Sequence, residues 1–448
     1  MSEQKHDAMV VGSGTSAYFA ASGLKEGGLD VAIIDERPYG GTCALRGCQP
    51  KKYLVCNAEA VAMAQHLVGR GIVEAPRTDW KALQALKNEF LEGRPEGEVE
   101  DWRKEGVATY HDRARFCGER SLQVGDRVLT ADHIILATGA TPRCAGYPGA
   151  ELSGISDDFL ELPELPERLV FVGGGYISFE FAHVAARAGA KEVTILQRSD
   201  RVLKGFDADM VEVVVKASED AGIRVILNES PEQLEKSGDV FLLTGKSGTR
   251  YEADLVIEAT GRVPNLSVVE GGEGDVEHHE GGIVVDGSLR SVSNPAVHAI
   301  GDCVAGSPML APVADAQGKL VARNILSGSD EEFDASVIPS AAFTTPSIGS
   351  VGLTEEQAKE QGLDVRVNRG STTGWPSAKR IGEKHGGYKV IIENGSERIV
   401  GAHLARHNAA EAINVLALAM KHGITAPQLK DFMWAYPTIV SDLKYMVG

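Results

Sequence analysis

The sequence predicts an α/β protein with two parallel-sheet domains, followed by an α+β module at the C-terminal end. Two segments share one design of apolar strand, glycine turn, helix and second strand, and they begin at "AMVVGSGTSAYFAASGL" and at "RLVFVGGGYISFEFAHVAARAG". This repeated βαβ design is typical of Rossmann-like domains that bind dinucleotides. After about Asp334 the βαβ pattern is replaced by a strand-like segment, "YKVIIENGSERIVGAHL", followed by a helical one, "AAEAINVLALAMKHG". Two such domains imply two dinucleotides, or one dinucleotide and a flavin.

The composition is that of an ordinary globular protein of several domains. Its 448 residues are 43% apolar and 24% charged, with a net charge of −18. This acidic balance argues against unaided binding to nucleic acid or to an anionic membrane. The polar start runs directly into a strand, and no run approaches the roughly 18 apolar residues of a membrane span. Six cysteines are too few for a secreted disulfide scaffold, so we expect a cytoplasmic protein with no membrane or nucleic-acid partner.

The first glycine turn, Gly12-x-Gly14-x-x-Ala17, has the spacing of a dinucleotide-binding turn. The first glycine makes the turn, the second lets the backbone approach a pyrophosphate, and the small third residue lets helix and strand pack closely. Asp35 lies 21 residues after Gly14, at the end of the second strand, where a carboxylate can bind ribose hydroxyls. The alternative is a turn that serves packing only.

The second glycine turn, Gly173-x-Gly175, lacks an acidic residue at the matching strand end. Gln197 stands there, 22 residues after Gly175, and is followed by Arg198 and then by Lys204. Without the carboxylate, a 2′-phosphate meets no repulsion, and an arginine can bind it in a forked geometry. We therefore expect NADPH rather than NADH, unless the two cations are only solvated surface charges.

The segment "GGTCALRGCQPKK" places two cysteines five positions apart. In a regular α-helix such residues lie roughly 8–9 Å apart on different faces, whereas a disulfide needs Cα atoms about 4.4–6.8 Å apart. Cys43 and Cys48 can therefore bond only in a distorted turn that enters a helix, and the neighbouring glycines allow one. The first helical turn and three nearby cations favour a thiolate at Cys48: Arg46, Lys51 and Lys52. A redox pair is favoured over half a metal site or two buried thiols, because no further ligands follow at short spacing.

These motifs resemble those of the flavoprotein pyridine nucleotide–disulfide oxidoreductases, which include glutathione reductase, dihydrolipoamide dehydrogenase and mercuric reductase. "GGTCALRGCQPKK" is similar to the family's redox-active disulfide, "GGGYISFE" to its NAD(P) turn, and "ATGATP", "ATGRVPN" and "AIGDC" to landmarks of its flavin domain. The resemblance covers nearly the whole chain. It implies two Rossmann-like dinucleotide-binding domains, for FAD and NAD(P)H, plus a C-terminal α+β dimerisation domain, and a homodimer whose active site is completed by the partner. The implied FAD-binding parts are 1–145 and 265–333, around an NAD(P)H-binding domain at 146–264 and before a dimerisation domain at 334–448.

The resemblance also implies roles at the reactive centre. Cys48 is the sulfur against the flavin, and Cys43 is the sulfur that attacks the substrate. Lys51 pairs with Glu180 beside the reactive edge of the flavin and tunes its electronics, and Tyr176 covers the nicotinamide pocket until the cofactor enters. The alternatives are a surface ion pair for Lys51 and Glu180, and core packing for Tyr176.

Further positions match the cofactor-binding motifs of the family. Asp302 would bind the ribityl chain of the flavin, with a helix cap as the alternative. The helix that starts near Pro312 would aim its N-terminus at the flavin and stabilise negative charge on the reduced ring. The remaining matched positions are Gly41, Thr42, Lys52, Thr138, Gly139, Gly261, Arg262, Gly301 and Val313.

The C-terminal segment "WAYPTIVSD" departs from the pattern of the family's disulfide reductases. Tyr436 stands in place of the histidine of their His-Pro-Thr motif, Ser441 replaces the glutamate five residues later, and Asp442 comes one residue late. An unperturbed tyrosine has a pKa of about 10, so it is a poor proton shuttle near pH 7. Mercuric reductases also have a tyrosine here, but they end in a vicinal cysteine pair, whereas no cysteine follows Cys303 in this chain.

The sequence thus predicts an FAD-dependent, NADPH-preferring oxidoreductase that passes electrons through Cys43 and Cys48 to a disulfide, persulfide or other electrophilic acceptor. Three alternatives stay open. They are a mercuric-reductase-like metal-ion reductase that uses both cysteines and Tyr436, a carboxylating relative of the family, and a non-enzymatic redox sensor.

No resident metal is expected from the histidines. His403 and His407 are four apart, but a strand-to-loop context does not hold two ligands on one face. His278 and His279 lie in a glycine- and acid-rich loop, where we expect them to be exposed.

Overall fold

Both glycine turns follow a parallel strand and open a helix, as the sequence predicts. The structure, a computed structural model, describes residues 3–448. The chain divides into two units. Unit 1 holds the chain up to Lys51 together with Lys87–Arg143 and Gly261–Asp334, and unit 2 holds Lys52–Leu86, Cys144–Thr260 and Ala335–Gly448.

The strands and helices are numbered along the chain. The strands are β1 (Glu3–Val11), β2 (Val31–Ile34), β3 (Ala108–Tyr110), β4 (Ala114–Gly118), β5 (Ser121–Val124), β6 (Arg127–Leu136), β7 (Ala140–Pro142), β8 (Arg168–Val172), β9 (Glu192–Leu196), β10 (Ile223–Ile226), β11 (Pro231–Ser237), β12 (Val240–Gly245), β13 (Arg250–Ala253), β14 (Leu255–Glu258), β15 (Arg262–Pro264), β16 (His278–His279), β17 (Gly282–Ile283), β18 (Val297–Ala299), β19 (Ser340–Ala342), β20 (Ile348–Gly352), β21 (Val365–Ser371), β22 (Gly387–Glu393) and β23 (Ile399–Ala405). The α-helices are α1 (Thr15–Glu26), α2 (Gly41–Leu45), α3 (Cys48–His66), α4 (Trp80–Leu91), α5 (Arg94–Lys104), α6 (Ser156–Leu160), α7 (Tyr176–Ala188), α8 (Ala208–Asp220), α9 (Ala311–Ser327), α10 (Glu355–Glu360), α11 (Pro376–Lys379), α12 (Ala409–Lys421), α13 (Ala426–Asp431) and α14 (Leu443–Met446). Short 3₁₀ helices lie at Ala150–Leu152, Gly301–Cys303 and Val440–Asp442.

Unit 1 is built on a sheet with the strand order β3-β2-β1-β6-β5-β4, in which β18 also pairs with β6. Strand β1 is parallel to both β2 and β6, so the turn after β1 lies at the carboxyl edge of the sheet, where such folds bind their ligands. Both faces of β1 are buried, because Ala8 and Val10 join one apolar cluster while Met9 and Val11 join another. This alternation follows the two-residue period of a strand.

Unit 2 contains one parallel and two antiparallel sheets. A parallel sheet has the order β10-β9-β8-β14, beside the antiparallel β11-β12-β13, and a further antiparallel sheet has the order β19-β20-β23-β22-β21. One apolar cluster joins Phe171 and Phe179 of the parallel layer to Ala342 and Ile348 of the antiparallel sheet. A second apolar cluster lies between this antiparallel sheet and α12, so the C-terminal segment is the α+β module that the sequence predicts.

Residues 52–86 pack with unit 2, although the sequence prediction placed them within the first domain. Leu54 and Trp80 join the same apolar cluster as Phe159, and the indole N–H of Trp80 donates to the carbonyl oxygen of Leu162 at 2.9 Å. These contacts link positions about 80 residues apart, which the local pattern of the sequence does not reveal. The predicted boundaries near residues 145, 264 and 333 stay predictions.

Between residues 3 and 448, no helix has both the length and the apolar character that crossing a membrane requires.

Candidate active site

The cysteine segment breaks between two helices, as the spacing requires. Helix α2 ends at Leu45, and α3 begins at Cys48 itself. The break lets the two sulfur atoms approach, which five residues of continuous helix would not allow. Cys43 is half-buried and Cys48 is exposed.

The two thiols differ in their surroundings. A hydrogen bond to Cys48, together with burial, raises the pKa of Cys43, while the hydroxyl of Thr15 and the charge of Lys51 oppose that shift. These effects together make the Cys43 thiol hold its proton more firmly than an isolated thiol does. Thr15 was not predicted, but it is the first residue of α1 and so directly follows the predicted turn.

The redox segment packs directly on the first glycine turn. A Cβ atom on Gly41 would lie 2.4 Å from the Cα atom of Gly14, and Gly41 has a φ of 66°. In the turn itself, a Cβ atom on Gly12 would lie 2.3 Å from the carbonyl oxygen of Ala137. Only glycine fits these positions, whereas Ala17 is fully buried in α1, in agreement with its predicted packing role.

Asp35 braces this turn from the end of β2. Its Oδ2 atom accepts hydrogen bonds from the backbone N–H of Ser13 at 2.8 Å and from the Ser13 hydroxyl at 2.7 Å, and its Oδ1 accepts from the N–H of Arg37. The Ser13 hydroxyl in turn accepts from the N–H of Gly40 at 3.2 Å. Ribose binding by Asp35 stays a prediction, and no local pattern indicates that Ser13 joins the two segments.

A cavity of about 310 Å³ opens along this carboxyl edge of unit 1. Its walls combine the backbone of a glycine turn, the start of α1 and an acidic side chain, which is the donor set that a dinucleotide requires. The predicted positions that line it are Gly12, Gly14, Asp35, Gly41, Thr42, Thr138 and Gly139. The residues present therefore fit the adenosine diphosphate part of FAD.

The second half of the flavin motifs lies in the same unit. The Thr138 hydroxyl donates to the carbonyl oxygen of Asn265 at 2.6 Å, and the guanidinium of Arg262 donates to the carbonyl oxygen of Ala140 at 2.5 Å. Burial raises the pKa of Asp302, and the charge of Arg262 opposes that shift. Gly261 directly precedes β15, which pairs with β7, and its carbonyl oxygen accepts a hydrogen bond from the N–H of Arg143 at 3.0 Å.

Asp302 does not cap the helix that follows it. It belongs to a 3₁₀ helix, and the capping position of α9 is Leu310. Helix α9 begins at Ala311, so the predicted helix start near Pro312 is confirmed, and Val313 is buried in its first turn. The N–H of Gly301 donates to the side chain of Gln317 of α9 at 2.7 Å, which joins the two motifs.

In unit 2, Gln197 braces the second glycine turn as Asp35 braces the first. Its Oε1 accepts from the N–H of Gly174, between Gly173 and Gly175, at 2.9 Å, and its amide donates to the Ser199 hydroxyl at 2.5 Å. The two predicted 2′-phosphate ligands are exposed on the following loop: Arg198 and Lys204.

Tyr176 and Glu180 lie on α7, which starts at the second turn. Tyr176 is 44% exposed, so the core-packing alternative is wrong. Glu180 is fully buried, and its carboxylate accepts from the N–H of Phe343 at 2.8 Å, so it is not a surface residue. Lys51 belongs to unit 1, and its pairing with Glu180 stays a prediction.

Lys52 points towards neighbours within unit 2. Its Nζ atom lies 4.1 Å from the centre of the Phe343 ring and 3.9 Å from a carboxylate oxygen of Glu59. A contact between Lys52 and a cofactor stays a prediction.

Comparison with known proteins decides the family. Residues 6–318 match the pyridine nucleotide-disulphide oxidoreductase family, and residues 338–447 match its dimerisation domain. The chain belongs to this family. The predicted family, the α/β fold class and the assignment as a flavoprotein oxidoreductase are therefore confirmed. Pyridine nucleotide-disulphide oxidoreductases depend on FAD and use NADH or NADPH.

Several relatives of known activity match nearly the whole chain. The mercuric reductase of Staphylococcus aureus is 31% identical over 446 residues, which are 98% of this chain and 81% of that protein. The dihydrolipoyl dehydrogenase of Haloferax volcanii is 30% identical over 446 residues, which are 96% of this chain and 93% of that protein. Among solved structures, the HOCl-induced flavoprotein disulfide reductase RclA from Escherichia coli, as its Cu(II) complex, has a TM-score of 0.90 and 27% identity, with 99% of both chains covered.

In this pyridine nucleotide-disulphide oxidoreductase, the tyrosine at the family's histidine position is free to meet another molecule. Tyr436 is 70% exposed. Ser441 does not orient it, because the Ser441 hydroxyl donates to the carbonyl oxygen of Thr438 at 2.6 Å. Asp442 is buried and accepts from Arg406 at 2.8 Å, so it anchors the segment rather than activating the tyrosine.

The histidines considered in the sequence lie in different surroundings. Within residues 3–448, no group of three or more His, Cys, Asp or Glu side chains is arranged around a common point as a metal requires. His403 is buried in β23, where its ring nitrogens lie 3.0 Å from the Ser350 hydroxyl and from the Leu353 carbonyl oxygen. His278 and His279 are exposed, as predicted.

Proposed function

We propose that the chain is an NADPH-preferring, FAD-dependent oxidoreductase that delivers electrons through Cys43 and Cys48 to an electrophilic acceptor, with a thiophilic metal ion as the favoured one. The observation that carries the proposal is the hydrogen-bonded cysteine pair on the first glycine turn, in a chain with Tyr436 at the histidine position. A disulfide or persulfide is the second candidate acceptor.

Unit 1 supplies the residues that would hold FAD. The start of α1 offers backbone N–H groups to the pyrophosphate, while Asp35 and Asp302 offer carboxylates to the ribose and the ribityl chain. FAD, when bound, supplies two-electron chemistry between a nicotinamide and a disulfide. Lys51 contributes a positive charge beside the cysteine pair, since it lowers the pKa of Cys43 against the other effects.

Two thiols at one site suit a soft metal ion. Thiolate sulfur is the ligand that such ions prefer, and the helix break brings Cys43 and Cys48 into hydrogen-bond contact. Reduction of a disulfide releases a thiolate that needs a proton from an acid such as histidine, whereas reduction of a bound metal ion releases none. Tyr436 is therefore compatible with a metal acceptor.

The electron balance is simple for either metal that the relatives' names suggest. One NADPH and one mercuric ion give NADP⁺, a proton and metallic mercury, and one NADPH and two cupric ions give NADP⁺, a proton and two cuprous ions. Support comes from the mercuric reductases among the relatives and from the solved Cu(II) complex of RclA.

The acceptor is tested by anaerobic mixing of the FAD-loaded protein with NADPH and each of four acceptors: cupric ion, mercuric ion, glutathione disulfide and lipoamide. We expect metal-dependent NADPH consumption that falls at least about 100-fold in Cys43→Ser and in Cys48→Ser. Cys56→Ser is the matched control, because Cys56 is an exposed thiol on the same helix α3. Turnover of a disulfide but of neither metal would reject the metal proposal, and no turnover with any acceptor would favour the redox sensor.

NADPH preference rests on the loop after β9. Gln197 carries no charge there and already serves the glycine turn, while the exposed Arg198 and Lys204 can meet a 2′-phosphate. Arg198→Gln should lower kcat/KM for NADPH by about tenfold or more and leave that for NADH nearly unchanged. Arg398→Gln removes the same charge from another exposed strand end in unit 2 and should change neither value.

A second copy of the chain is the proposed partner. The dimerisation-domain match covers residues 338–447, and this region exposes large apolar side chains: Phe432 at 61%, Met433 at 92%, Tyr436 at 70% and Tyr445 at 56%. Such a patch is more typical of an interface than of free surface. Met433→Asp should shift the sedimentation profile towards monomer, while Val73→Asp, at a position that is 94% exposed, should not.

A further inference from the structure

Unit 2 contains a cavity of about 390 Å³ that none of the assignments above uses. Its walls come from the last turns of α3, α7 and α8 and from loops around residues 344–347, 381–385 and 407–408. Its volume lies within the range of sites for small metabolites. The question is which chemistry these walls would recognise.

The cavity gathers basic side chains in a strongly acidic protein. Five of its lining residues carry or can take up positive charge: His66, Arg187, Lys384, His385 and His407. Burial and then the positive charges of Arg187 and Lys384 lower the pKa of His66, so these groups act on one another across the cavity. In a chain of net charge −18, such a cluster is not explained by overall composition.

The acidic residues of the same walls do not cancel this charge. Asp220 is paired with His385, with 2.6 Å between the carboxylate oxygen and the ring nitrogen. Burial raises the pKa of both Glu59 and Glu383, which favours their neutral forms. Among the ion pairs of the described residues, none joins Arg187 to a carboxylate. Its guanidinium donates to the side chain of Gln65 instead.

Two buried polar atoms of the walls lack a hydrogen-bond partner. Arg187 donates through Nη1 to the side chain of Gln65 at 2.5 Å, but its buried Nε–H has no partner within residues 3–448. Glu383 is 8% exposed, and its Oε1 accepts from the N–H of His407, while its Oε2 has no partner in the described chain. Unpaired buried polar atoms are costly, so two of them in the walls of one cavity favour a bound ligand or solvent molecule there.

We propose that this cavity binds a small organic dianion, a phosphate ester or a dicarboxylate, with Arg187 as its principal ligand. A guanidinium with an unpaired N–H suits two-pronged binding of phosphate or carboxylate. The raised pKa of Glu383 lessens the repulsion between this carboxyl and an anion, and the exposed Lys384 adds a second cation. This site lies outside the redox machinery and does not depend on the proposed acceptor.

Binding takes up protons. Burial lowers the pKa of His66 and of His407, so both rings are neutral near pH 7 in the ligand-free protein. A dianion beside them favours their charged forms, so affinity should rise as pH falls from 8 to 6. The charged and titratable groups that face these rings from the surrounding elements are Glu59, Arg187, Asp220, Glu383, Lys384, His385 and Arg406.

The test is calorimetric titration of the FAD-loaded full-length protein with sulfate and, separately, with malonate, at constant ionic strength. Sulfate keeps its charge between pH 6 and 8, so any gain in affinity at pH 6 comes from the protein. Stronger binding of sulfate indicates a phosphate ester as the natural ligand, and stronger binding of malonate indicates a dicarboxylate. Arg187→Gln should weaken binding by about tenfold or more, Arg187→Lys should restore part of it, and the control Arg398→Gln should leave it unchanged.

Two results would overturn the proposal. One is the absence of heat with both anions at pH 6. The other is binding that survives Arg187→Gln but disappears in Arg198→Gln, which would place the anion in the nucleotide site. If Arg187→Gln does not fold, the wild-type protein still decides the matter by NMR, because the His66 and His407 ring signals must move on titration with sulfate.

Discussion

Replacement of Gly41 by alanine should separate the redox segment from the first glycine turn. Two costs are expected. The first is the left-handed backbone, since Gly41 has a φ of 66°, which costs an alanine about 1–2 kcal/mol. The second is steric, because the new Cβ would lie 2.4 Å from the Cα atom of Gly14 and 3.0 Å from its nitrogen atom.

The steric cost can be isolated with a matched glycine. Ordinary contact needs about 3.4 Å or more, so α2 must move by roughly 1 Å, and such forced shifts in packed regions cost about 1–3 kcal/mol. Gly93 has a φ of 69°, but nothing lies within 4 Å of its Cβ position. Gly93→Ala should therefore lose about 1–2 kcal/mol, and Gly41→Ala about 2–5 kcal/mol.

The assay combines urea unfolding with the ratio of flavin to protein absorbance after purification. Gly41→Ala should bind less FAD than Gly93→Ala, because the turn that it displaces lines the 310 Å³ cavity. If the two variants unfold at the same urea concentration and retain equal flavin, then α2 does not rest on the turn as described, and the reasoning fails.

Three further predictions concern unit 2. Arg406→Met leaves a buried carboxylate without its partner, so it should cost about 3–5 kcal/mol in urea unfolding, whereas Arg398→Met should change stability by no more than about 0.5 kcal/mol. Burial lowers the pKa of His183 to about 3, so its contribution to stability is complete above pH 6.5 and is lost as the pH falls, by about 2 kcal/mol at pH 5. His183→Gln should reduce that acid sensitivity, measured as unfolding free energy at pH 7.5 and 5, and the exposed His279→Gln should not. Tyr436→His should raise glutathione disulfide reduction at pH 7, since it restores an acid with a suitable pKa, and an unchanged rate would show that the missing imidazole is not what limits that reaction.

Local patterns predicted the parts of the fold that depend on local physics. The spacing of Gly12 and Gly14 fixed the turn and the helix after it, and the incompatibility of a disulfide with a five-residue helical spacing predicted the break before Cys48. The position of α9 followed from Pro312 in the same way. Each of these features is decided by backbone geometry within a few residues.

Contacts between distant parts of the chain could not be predicted from the sequence. Glu180 and Phe343 are 163 residues apart and share a hydrogen bond, and neither position signals the other. The same holds for the dianion cavity. From the sequence, Arg187 and Glu383 are expected to be ordinary surface residues, but the fold places both in the walls of one cavity. Burial of this kind follows from tertiary packing rather than from propensity.

The hydrogen bond between Gln197 and the second glycine turn limits how coenzyme preference can change. An acidic residue at this position would introduce the carboxylate that NADH-binding domains use. It would still accept from Gly174, but it would lose the two N–H groups that now donate to Ser199 and to the Arg201 carbonyl oxygen. Introducing that carboxylate would therefore leave a less ordered loop after β9 unless neighbouring positions changed first, so residue 197 cannot change alone without a cost to the turn that it supports.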